Sequence, residues 1–338
     1  MSDTLSFPPL RIGPFELAAP AVLAPLAGYT DLSFRRICRL MGAGYCSTEV
    51  TLDTSINLSP KLRLKLIQPA ADDHPLAGQI MGCKAETMAI AAGHLLALGC
   101  DVVDLNFACP VRKVLRRKRG GHLMRDPDGA VATIRAVAAA VGGQAPITVK
   151  LRKSFDQDDA DLSAFWQIAE AAFDAGAVAI NVHARSVEAR YSGPADWEFL
   201  ARVKQHFGHK VIIGSGDVLS PHHAVDLLRL TGVDGVAFAR GALGNPWIFR
   251  QFEQLLAGRQ EAAPTLAEQR DVIARHYALC VEQYGSRGAR MMHRFGIKYA
   301  RCHPNPKLVR HAFIDSPAGV DVEGILNRYY GPSEAMPV

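Results

Sequence analysis

Short apolar runs alternate along this chain with longer segments in which apolar residues recur at helical spacing. Runs of roughly four to eight residues rich in Val, Ile and Leu are typical of buried strands. Eight such runs predict core strands, at 21–25, 45–50, 75–81, 101–108, 147–151, 177–183, 210–215 and 236–240. The helical spacing predicts helices at 32–41, 85–98, 127–141, 161–175, 195–207, 221–230 and 246–256.

This alternation over about 250 residues has the rhythm and length of an α/β fold of the (β/α)8 TIM barrel type. A doubly wound parallel sheet is the alternative, but it needs a topological switch that the spacing does not demand. Residues 10–19 predict a short hairpin, and the connection 51–74 holds two prolines and shows no helical pattern. We expect a barrel over 1–257, a linker over 258–264 and a small helical domain over 265–338.

The seven cysteines are an odd number without a CxxC pair, which argues against a disulfide framework and against a zinc site. They indicate a reducing compartment, so we expect a cytoplasmic protein without a metal. No apolar stretch reaches the roughly 18 residues of a membrane span. The N-terminus lacks the basic and apolar regions of a signal peptide. The net charge of +5 is modest, so the placement of the charges matters more than their sum.

Chemically active side chains follow several of the predicted strands. In a parallel barrel the carboxyl ends of all strands face one pocket. Cys109 follows the strand 101–108, and Pro110 stops that strand because proline cannot continue a ladder. Most lone cysteines are small buried hydrophobic residues. Here the position at a strand end, and the basic loop 112–119 after it, favour a functional thiol.

An amine, an imidazole and two carboxamides are expected at the same end of the barrel. Lys150 suits either a Schiff base or a point charge on a bound ligand, unless it is a solvated strand-end residue. Gln79 and Asn106 offer donors and acceptors to a planar heterocycle, or they are satisfied buried amides. His183 serves an anion or a base edge, with a core histidine as the alternative.

Two glycine-rich turns, 214–216 and 241–244, follow the seventh and eighth predicted strands. Barrel enzymes bind phosphate at this position, on bare backbone N–H groups. Arg240 adds a guanidinium that can hold a phosphate with two hydrogen bonds. The turns therefore predict a phosphate site. No GxGxxG motif follows a strand and opens a helix, so no Rossmann nucleotide site is expected.

Residues 287–311 carry many cations and no Asp or Glu. The first five cations are spaced by 3, 4, 4 and 3 residues, and they are Arg287, Arg290, Arg294, Lys298 and Arg301. On a helix they fall within roughly 80° of arc. Solvated helix faces usually mix charges of both signs, and this one does not. The pattern predicts a ridge that contacts RNA phosphates. The loop 112–119 is either a second RNA contact or a solvated loop.

The chain resembles the tRNA-dihydrouridine synthase family, the flavin enzymes that reduce uridine in tRNA, and most of all the B group of bacterial members. The matching segments stand in family order, and they are LAPLAGYTDLSFRR (23–36), GQIMG (78–82), DLNFACPVRKV (104–114), VKLR (149–152), VHAR (182–185), YSGPADW (191–197), GSGDV (214–218) and ARGALGNPWIF (239–249). The resemblance implies a barrel that binds FMN, accepts electrons from NAD(P)H and acts on tRNA.

The resemblance also assigns roles to residues. Those implied to hold the flavin and its phosphate are Pro25, Leu26, Ala27, Gln79, Lys150, His183, Ser215, Gly216, Asp217, Arg240 and Gly241. Those implied near the uracil are Asn106, Lys150 and Arg152, and Arg185 is assigned to the substrate as well. Flavin N5 would give a hydride to uracil C6, and Cys109 would protonate C5 from the opposite face of the ring. A nucleophilic thiolate is the competing role of Cys109.

The chain departs from the family pattern at three places. Ala108 and Ser215 replace the usual glycine and asparagine, and the loop after Cys109 is basic where the family commonly has small residues. Three other hypotheses stay open: a flavin barrel reductase acting on a small molecule, a Schiff-base aldolase that uses Lys150, and a non-catalytic RNA-binding protein. A monomer suits a large RNA ligand.

Overall fold

The computed structural model describes residues 7–157, 161–316 and 321–331, and a closed parallel barrel forms its centre. Strands β1 (Leu10–Ile12) and β2 (Phe15–Leu17) first make an antiparallel hairpin. The barrel strands are β3 (Ala21–Leu23), β4 (Cys46–Ser47), β6 (Leu76–Met81), β7 (Val102–Asn106), β8 (Ile147–Arg152), β9 (Ala179–His183), β10 (Val211–Ser215) and β11 (Gly235–Phe238). The short strand β5 (Thr51–Leu52) pairs with the end of β6.

The ring closes because β3 pairs with both β4 and β11, and β4 pairs onward with β6. The other barrel strands pair in chain order. Each strand is buried on both sides, which explains the nearly continuous apolar runs. On β7, Val103 and Leu105 belong to the outer core, whereas Val102 belongs to the barrel interior. The (β/α)8 prediction is confirmed.

Helices cover the outside of the barrel and form the tail. Around the barrel they are α1 (Leu32–Leu40), α2 (Asp53–Ile56), α3 (Pro60–Ile67), α4 (Ala85–Ala97), α5 (Arg112–Leu115), α6 (Pro127–Val141), α7 (Ser163–Asp174), α8 (Trp197–Phe207), α9 (Pro221–Thr231) and α10 (Ile248–Leu256). In the tail they are α11 (Leu266–Tyr284), α12 (Gly288–Tyr299), α13 (Pro306–Asp315) and α14 (Val322–Tyr329). Single 3₁₀ turns lie at Gly120–Arg125, Gly285–Arg287 and Ala300–Cys302. Every helix predicted for the barrel is present, with ends shifted by a few residues.

The connection after β4 contains helices that the sequence pattern did not predict. It forms α2 and α3, so the expectation of no helix over 51–74 is wrong. Pro60 occupies the first position of α3, where the missing N–H costs nothing because that group has no partner inside the helix. Ser59 caps α3, since its hydroxyl accepts a 3.3 Å hydrogen bond from the Leu62 amide.

The hairpin of β1 and β2 closes the amino-terminal end of the barrel. Leu10 and Ile12 are buried in one cluster with interior residues such as Val22 and Ala237. Gly235 begins β11 directly against the hairpin, and a methyl group on it would lie 2.6 Å from the Leu10 side chain. The barrel therefore has a filled floor, and its open space lies at the carboxyl ends of the strands.

The tail packs on the barrel through α1. The ring of Phe34 on α1 stacks at 5.4 Å from the ring of Phe295 on α12. The Ser33 amide donates a 2.9 Å hydrogen bond to the side chain of Gln283 on α11. Barrel and tail thus share one continuous hydrophobic core. Across the described ranges, no helix combines the length and the apolar character needed to cross a bilayer.

Candidate active site

A cavity of about 360 Å³ opens at the carboxyl ends of the barrel strands. This size is typical of a small-molecule site. The predicted site residues in its lining are Pro25, Leu26, Ala27, Gln79, Asn106, Cys109, Lys150, Arg152, His183, Ser215, Gly216, Asp217 and Arg240. Arg185 and Gly241 lie next to lining residues but do not line the cavity. The fold thus brings together groups that are far apart in the chain.

Cys109 lies just beyond β7 and is half-buried in the cavity wall. The Oδ1 atom of Asn106 accepts 3.0 Å hydrogen bonds from the amides of Ala108 and Cys109, which fixes this turn. Ala108 is not among the described residues with a positive φ, so its methyl group introduces no left-handed strain. Burial raises the pKa of the Cys109 thiol above its usual value, so the thiol keeps its proton at neutral pH.

A buried carboxylate lies beneath the two carboxamides. Asp104 on β7 accepts a 2.6 Å hydrogen bond from Nε2 of Gln79 and a 2.7 Å hydrogen bond from the Thr148 hydroxyl. Gln79 in turn accepts a 2.7 Å hydrogen bond from Nδ2 of Asn106. Gln79 and Thr148 are the register partners of Asp104 on the two neighbouring strands. Both carboxamides are therefore held by the barrel itself.

Two positive charges enter the cavity from β8. The Lys150 ammonium donates a 3.0 Å hydrogen bond to Oδ1 of Asn181. Burial lowers the pKa of Lys150 to about 8, although the nearby Asp104 opposes the shift. The Arg152 guanidinium donates 2.8 Å hydrogen bonds to backbone oxygens of Ala108, Ser186 and Arg190. Arg152 therefore fixes the backbone around Cys109 while it lines the cavity.

His183 ends β9 in a strongly positive environment. Burial and four neighbouring cations lower the pKa of His183 to about 2, so the imidazole is neutral. The cations are Arg152, Lys150, Arg185 and Arg240. Nδ1 of His183 lies 3.4 Å from the Ser215 hydroxyl, and Nε2 is buried without a hydrogen-bond partner in the described residues. An unpaired buried nitrogen beside so much positive charge suits a bound anion.

The glycine-rich turns beside these cations are packed tightly against the rest of the chain. Gly216 has a φ of +121°, and a methyl group on it would lie 2.7 Å from Cβ of Ala195. A methyl group on Gly241 would lie 2.7 Å from the Val218 carbonyl oxygen. Glycine is therefore required at both turns, because a side chain would collide with the protein there.

Asp217 arranges the two arginines at this end of the cavity. It accepts hydrogen bonds of 2.6 Å from the Arg185 guanidinium and 2.8 Å from the Ala195 amide. Burial opposes ionisation of Asp217, but these hydrogen bonds lower its pKa below the usual value. Arg240 lies 3.6 Å from the same carboxylate, and its side chain is 41% exposed. Arg185 is thus committed to Asp217, whereas Arg240 is available at the cavity mouth.

The predicted ridge of tail cations is partly exposed. Arg287 and Arg290 are exposed, and Lys298 is half-buried. Arg301 is exposed, and its guanidinium lies 3.4 Å from the backbone oxygen of Gly241. The end of the ridge therefore touches the turn that follows β11, next to the cavity.

Arg294 is placed differently from the other ridge residues. It lies at the junction of barrel and tail, 3.6 Å from the carboxylate of Asp31 and 5.6 Å above the ring of Tyr29. Asp31 also caps α1 by accepting a 3.0 Å hydrogen bond from the Phe34 amide. Arg294 therefore joins α12 to the segment that enters α1.

Sequence reasoning missed several residues at the site, among them Tyr191, Asn181 and Asp104. Tyr191 lines the cavity, with its ring 4.7 Å from the Arg240 guanidinium, and Asn181 holds Lys150. The position of Asp104 could be predicted from the sequence, because residues two apart on a strand share a face and Asn106 is a predicted site residue. Among the described residues, no group of three or more His, Cys, Asp or Glu side chains is arranged to hold a metal.

The fold and the cavity define a TIM-barrel protein with a cationic pocket at its strand ends. A family model described as "Dihydrouridine synthase (Dus)" matches residues 22–316. The tRNA-dihydrouridine synthase B of Pseudomonas syringae pv. tomato is 37% identical over 87% of this chain and 84% of its own length. A probable tRNA-dihydrouridine synthase of Rickettsia conorii is 35% identical over 82% of both chains. The chain belongs to the dihydrouridine synthase family, and it is a flavin-dependent oxidoreductase.

Two solved structures share the fold at low sequence identity. Histamine dehydrogenase from Rhizobium sp. 4-9 matches 82% of this chain with a TM-score of 0.57 and 16% identity. The 6-hydroxypseudooxynicotine amine oxidase of Pseudomonas geniculata matches 81% with a TM-score of 0.59 and 18% identity. This chain spans about half the length of each, 51% and 53%. These likenesses support the barrel fold alone.

Proposed function

We propose that this enzyme binds FMN in the strand-end cavity and reduces a uridine of tRNA to dihydrouridine, with NAD(P)H as the reductant. One observation carries the proposal: a protonated thiol, an ammonium and two oriented carboxamides line the same cavity as a cationic glycine cradle. The relatives are named for this activity, and family membership supports the same reaction.

The residues of the cavity fit FMN. Its phosphate would lie at the backbone of Gly216 and near Gly241, close to Arg240, whose guanidinium is 41% exposed although Asp217 lies 3.6 Å away. The unpaired Nε2 of His183 supports this placement, because a neutral imidazole can bond an anion or a hydroxyl of the ligand. Ser215 keeps that ring in position, so replacement of the usual asparagine preserves a polar contact.

The other end of the cavity suits the flavin ring and the uracil. The ring would lie on the backbone and small side chains of Pro25, Leu26 and Ala27. Lys150 and the second N–H of Gln79, whose first N–H bonds Asp104, would donate toward its polar edge. Asn106, which lies next to Gln79, would meet the uracil.

The protein's own part in the reaction is to orient the two rings and to supply a proton. When bound, reduced FMN supplies the hydride for uracil C6. Cys109 keeps its proton at neutral pH, so its thiol is suited to deliver that proton to C5. The charges of Lys150 and Arg152 stabilise negative charge that develops on the uracil carbonyl oxygens.

The surface around the mouth suits an RNA. Arg287 and Arg290 project from the tail, and Arg301 lies at the rim beside Gly241. The loop after Cys109 begins in the cavity wall and would provide a second rim, with exposed cations at 112, 113, 116, 117 and 118. No ion pair to these five side chains occurs within 7–157, 161–316 and 321–331. Phosphate contacts on both rims would guide a base that is turned out of the RNA into the cavity.

The proposal also covers the domain organisation, the cellular location and the oligomeric state of the chain. We infer a catalytic barrel over 1–257, a linker over 258–264 and an RNA-binding domain over 265–338. We also infer a monomer, because one tRNA has to contact the barrel mouth and the tail of the same molecule. We infer a cytoplasmic location, because the seven cysteines indicate a reducing compartment. Sedimentation of the protein with and without tRNA tests the one-to-one assembly.

The purified protein is incubated with NADPH or NADH and unmodified tRNA transcripts, and dihydrouridine is measured by mass spectrometry. We expect a yellow protein with bound FMN, whose reduced form is reoxidised by tRNA. Reoxidation by small enones but not by tRNA would favour a small-molecule reductase. Borohydride trapping of a carbonyl substrate on Lys150 would favour an aldolase. A colourless protein that takes up no flavin would favour a non-catalytic RNA-binding role.

A further inference from the structure

Asp104 is an ionisable side chain directly beneath the cavity, and it is 6% exposed. It lies two residues before Asn106 on β7, so both side chains face the barrel interior. Burial raises the pKa of Asp104 to about 6, against hydrogen bonds from Thr148 and Gln79 and the charge of Lys150. The carboxyl is therefore ionised at neutral pH, although ionisation in this position is unfavourable.

An ionised carboxylate only accepts hydrogen bonds, which fixes the orientation of the next group. Gln79 has to turn its NH₂ group toward Asp104, at 2.6 Å, so its oxygen faces the opposite way. That oxygen accepts the 2.7 Å hydrogen bond from the NH₂ group of Asn106.

The same argument fixes the orientation of Asn106 relative to the turn that contains Cys109. Because the NH₂ group of Asn106 points to Gln79, its oxygen points to the backbone. There it accepts the N–H groups of Ala108 and Cys109, both at 3.0 Å. If either carboxamide were reversed, its NH₂ group would face another N–H donor in this series of hydrogen bonds. One buried charge thus sets every link up to the backbone of the thiol.

We propose that Asp104 is a positioning residue, whose carboxylate orients the carboxamides of Gln79 and Asn106 and, through Asn106, the backbone of Cys109. The inference rests on the proposed function, in which those carboxamides face the flavin and the uracil. It explains why a carboxylate is present in a position where its charge costs stability: the charge enforces an order of donors that a neutral side chain cannot enforce.

The variant Asp104→Asn tests this, because asparagine has the same shape but can offer either an oxygen or an N–H to Gln79. Thr148→Val is the matched control, since it removes the other hydrogen bond of the same carboxylate and leaves the link to Gln79. For Asp104→Asn we expect kcat to fall about 10- to 100-fold while KM for tRNA stays within about threefold. Thr148→Val removes a hydrogen bond that lowers the pKa of Asp104, so both proteins are compared at pH 8, where the carboxylate stays ionised, and we expect kcat within about threefold of wild type.

The second readout is the rate at which iodoacetamide alkylates Cys109, followed by mass spectrometry of its peptide. We expect this rate to change more than threefold in Asp104→Asn, because the turn is no longer held in one orientation. If Asp104→Asn does not fold, Gln79→Met cuts the same chain of hydrogen bonds and should change the alkylation rate equally.

Wild-type kcat and alkylation in a folded Asp104→Asn protein would overturn the inference. An equal loss in Thr148→Val would also overturn it, since the effect would then come from packing around the carboxylate. Failure of the wild-type enzyme to reduce uridine would defeat the proposed function instead, and the alkylation rates would still decide the role of Asp104.

Discussion

The Tyr284 hydroxyl donates a 2.7 Å hydrogen bond to the carboxylate of Asp31, and so it joins α11 of the tail to the residue that caps α1 of the barrel. Hydrogen bonds to charged groups contribute about 1.5–3 kcal/mol. We therefore expect Tyr284→Phe to lower the free energy of unfolding by about that amount in urea titrations. Tyr277→Phe on the same helix is the control and should change it by less than about 0.5 kcal/mol. Equal losses in both variants would contradict a specific link through Asp31.

The thiol of Cys109 can be tested by a small substitution. Cys109→Ala should retain bound FMN and lose about 100-fold or more of its uridine reduction, because general acid catalysis typically contributes that much. Cys83→Ala, at an exposed cysteine, should retain full activity. Dihydrouridine yield and the visible spectrum of the flavin measure the two properties separately. Undiminished reduction in Cys109→Ala would remove this thiol from the chemistry.

The loss of charge on Lys150 should determine how the rate of flavin reoxidation by tRNA falls at alkaline pH. Its pKa of about 8 lies below the usual value of 10.5, so the ammonium is present below pH 8 and is lost as the pH rises through 8. The neighbouring Cys109 has a pKa raised above 9.0, and Asp104 titrates near 6, so neither group accounts for a fall near pH 8. We expect the rate of flavin reoxidation by tRNA to fall above pH 8.

Lys150→Arg provides the check on that assignment, because a guanidinium stays charged in this range. Its rate is expected to be lower at pH 7, but its alkaline limb should move upward by at least one pH unit. A limb that stays at pH 8 in Lys150→Arg would assign the titration to another group. The measurement is a single-turnover series between pH 6 and pH 9.5.

The glycine cradle should be sensitive to one methyl group. In Gly216→Ala the new Cβ would lie 2.7 Å from Ala195 at a φ of +121°, so the turn has to move. Strain of about 1–3 kcal/mol corresponds to a loss of roughly 5- to 150-fold in FMN affinity, measured by fluorescence titration. Gly208→Ala introduces an alanine at a φ of +55° without a neighbour within 4 Å, and it should leave FMN affinity unchanged. A wild-type affinity in Gly216→Ala would place the phosphate elsewhere.

The two groups of tail cations should differ in their salt dependence. Each phosphate contact contributes about 0.7–0.9 to the slope of log K against log salt. Replacing Arg287 and Arg290 together by alanine should flatten the slope for tRNA by roughly 1.4–1.8. Arg294→Ala should change it by less than about 0.5, because Asp31 already neutralises that charge. Arg229, exposed on α9, is the control and should have no effect.

Much of the site could be predicted because barrel topology converts strand ends into neighbours. Cys109, Lys150 and His183 each follow or end an apolar run, and the fold places all three in one cavity. The placement of Arg294 could not be predicted in this way. Helical periodicity gives the direction of a side chain, but it does not reveal a partner such as Asp31 in a distant part of the chain.

Two other features could not be predicted from local sequence patterns, namely the helix that begins at Pro60 and the role of Asp104. The two prolines of 51–74 argue against a helix, but Pro60 lies in the first turn of α3, where proline is accepted and Ser59 caps the helix. Asp104 interrupts an apolar run, and its importance depends on Gln79 and Thr148, which come from the neighbouring strands. The hydrogen-bonding order of a buried layer is a property of the assembled barrel.

The filled floor of the barrel has a kinetic consequence. Because Leu10 and Ile12 fill the far end, a ligand cannot pass through the barrel and has to leave on the side of the strand ends where it entered. A nicotinamide and a nucleobase would then compete for one entrance, and excess of either would inhibit turnover by the other. Initial rates at crossed concentrations of both should give parallel double-reciprocal lines, with substrate inhibition at the highest levels of each.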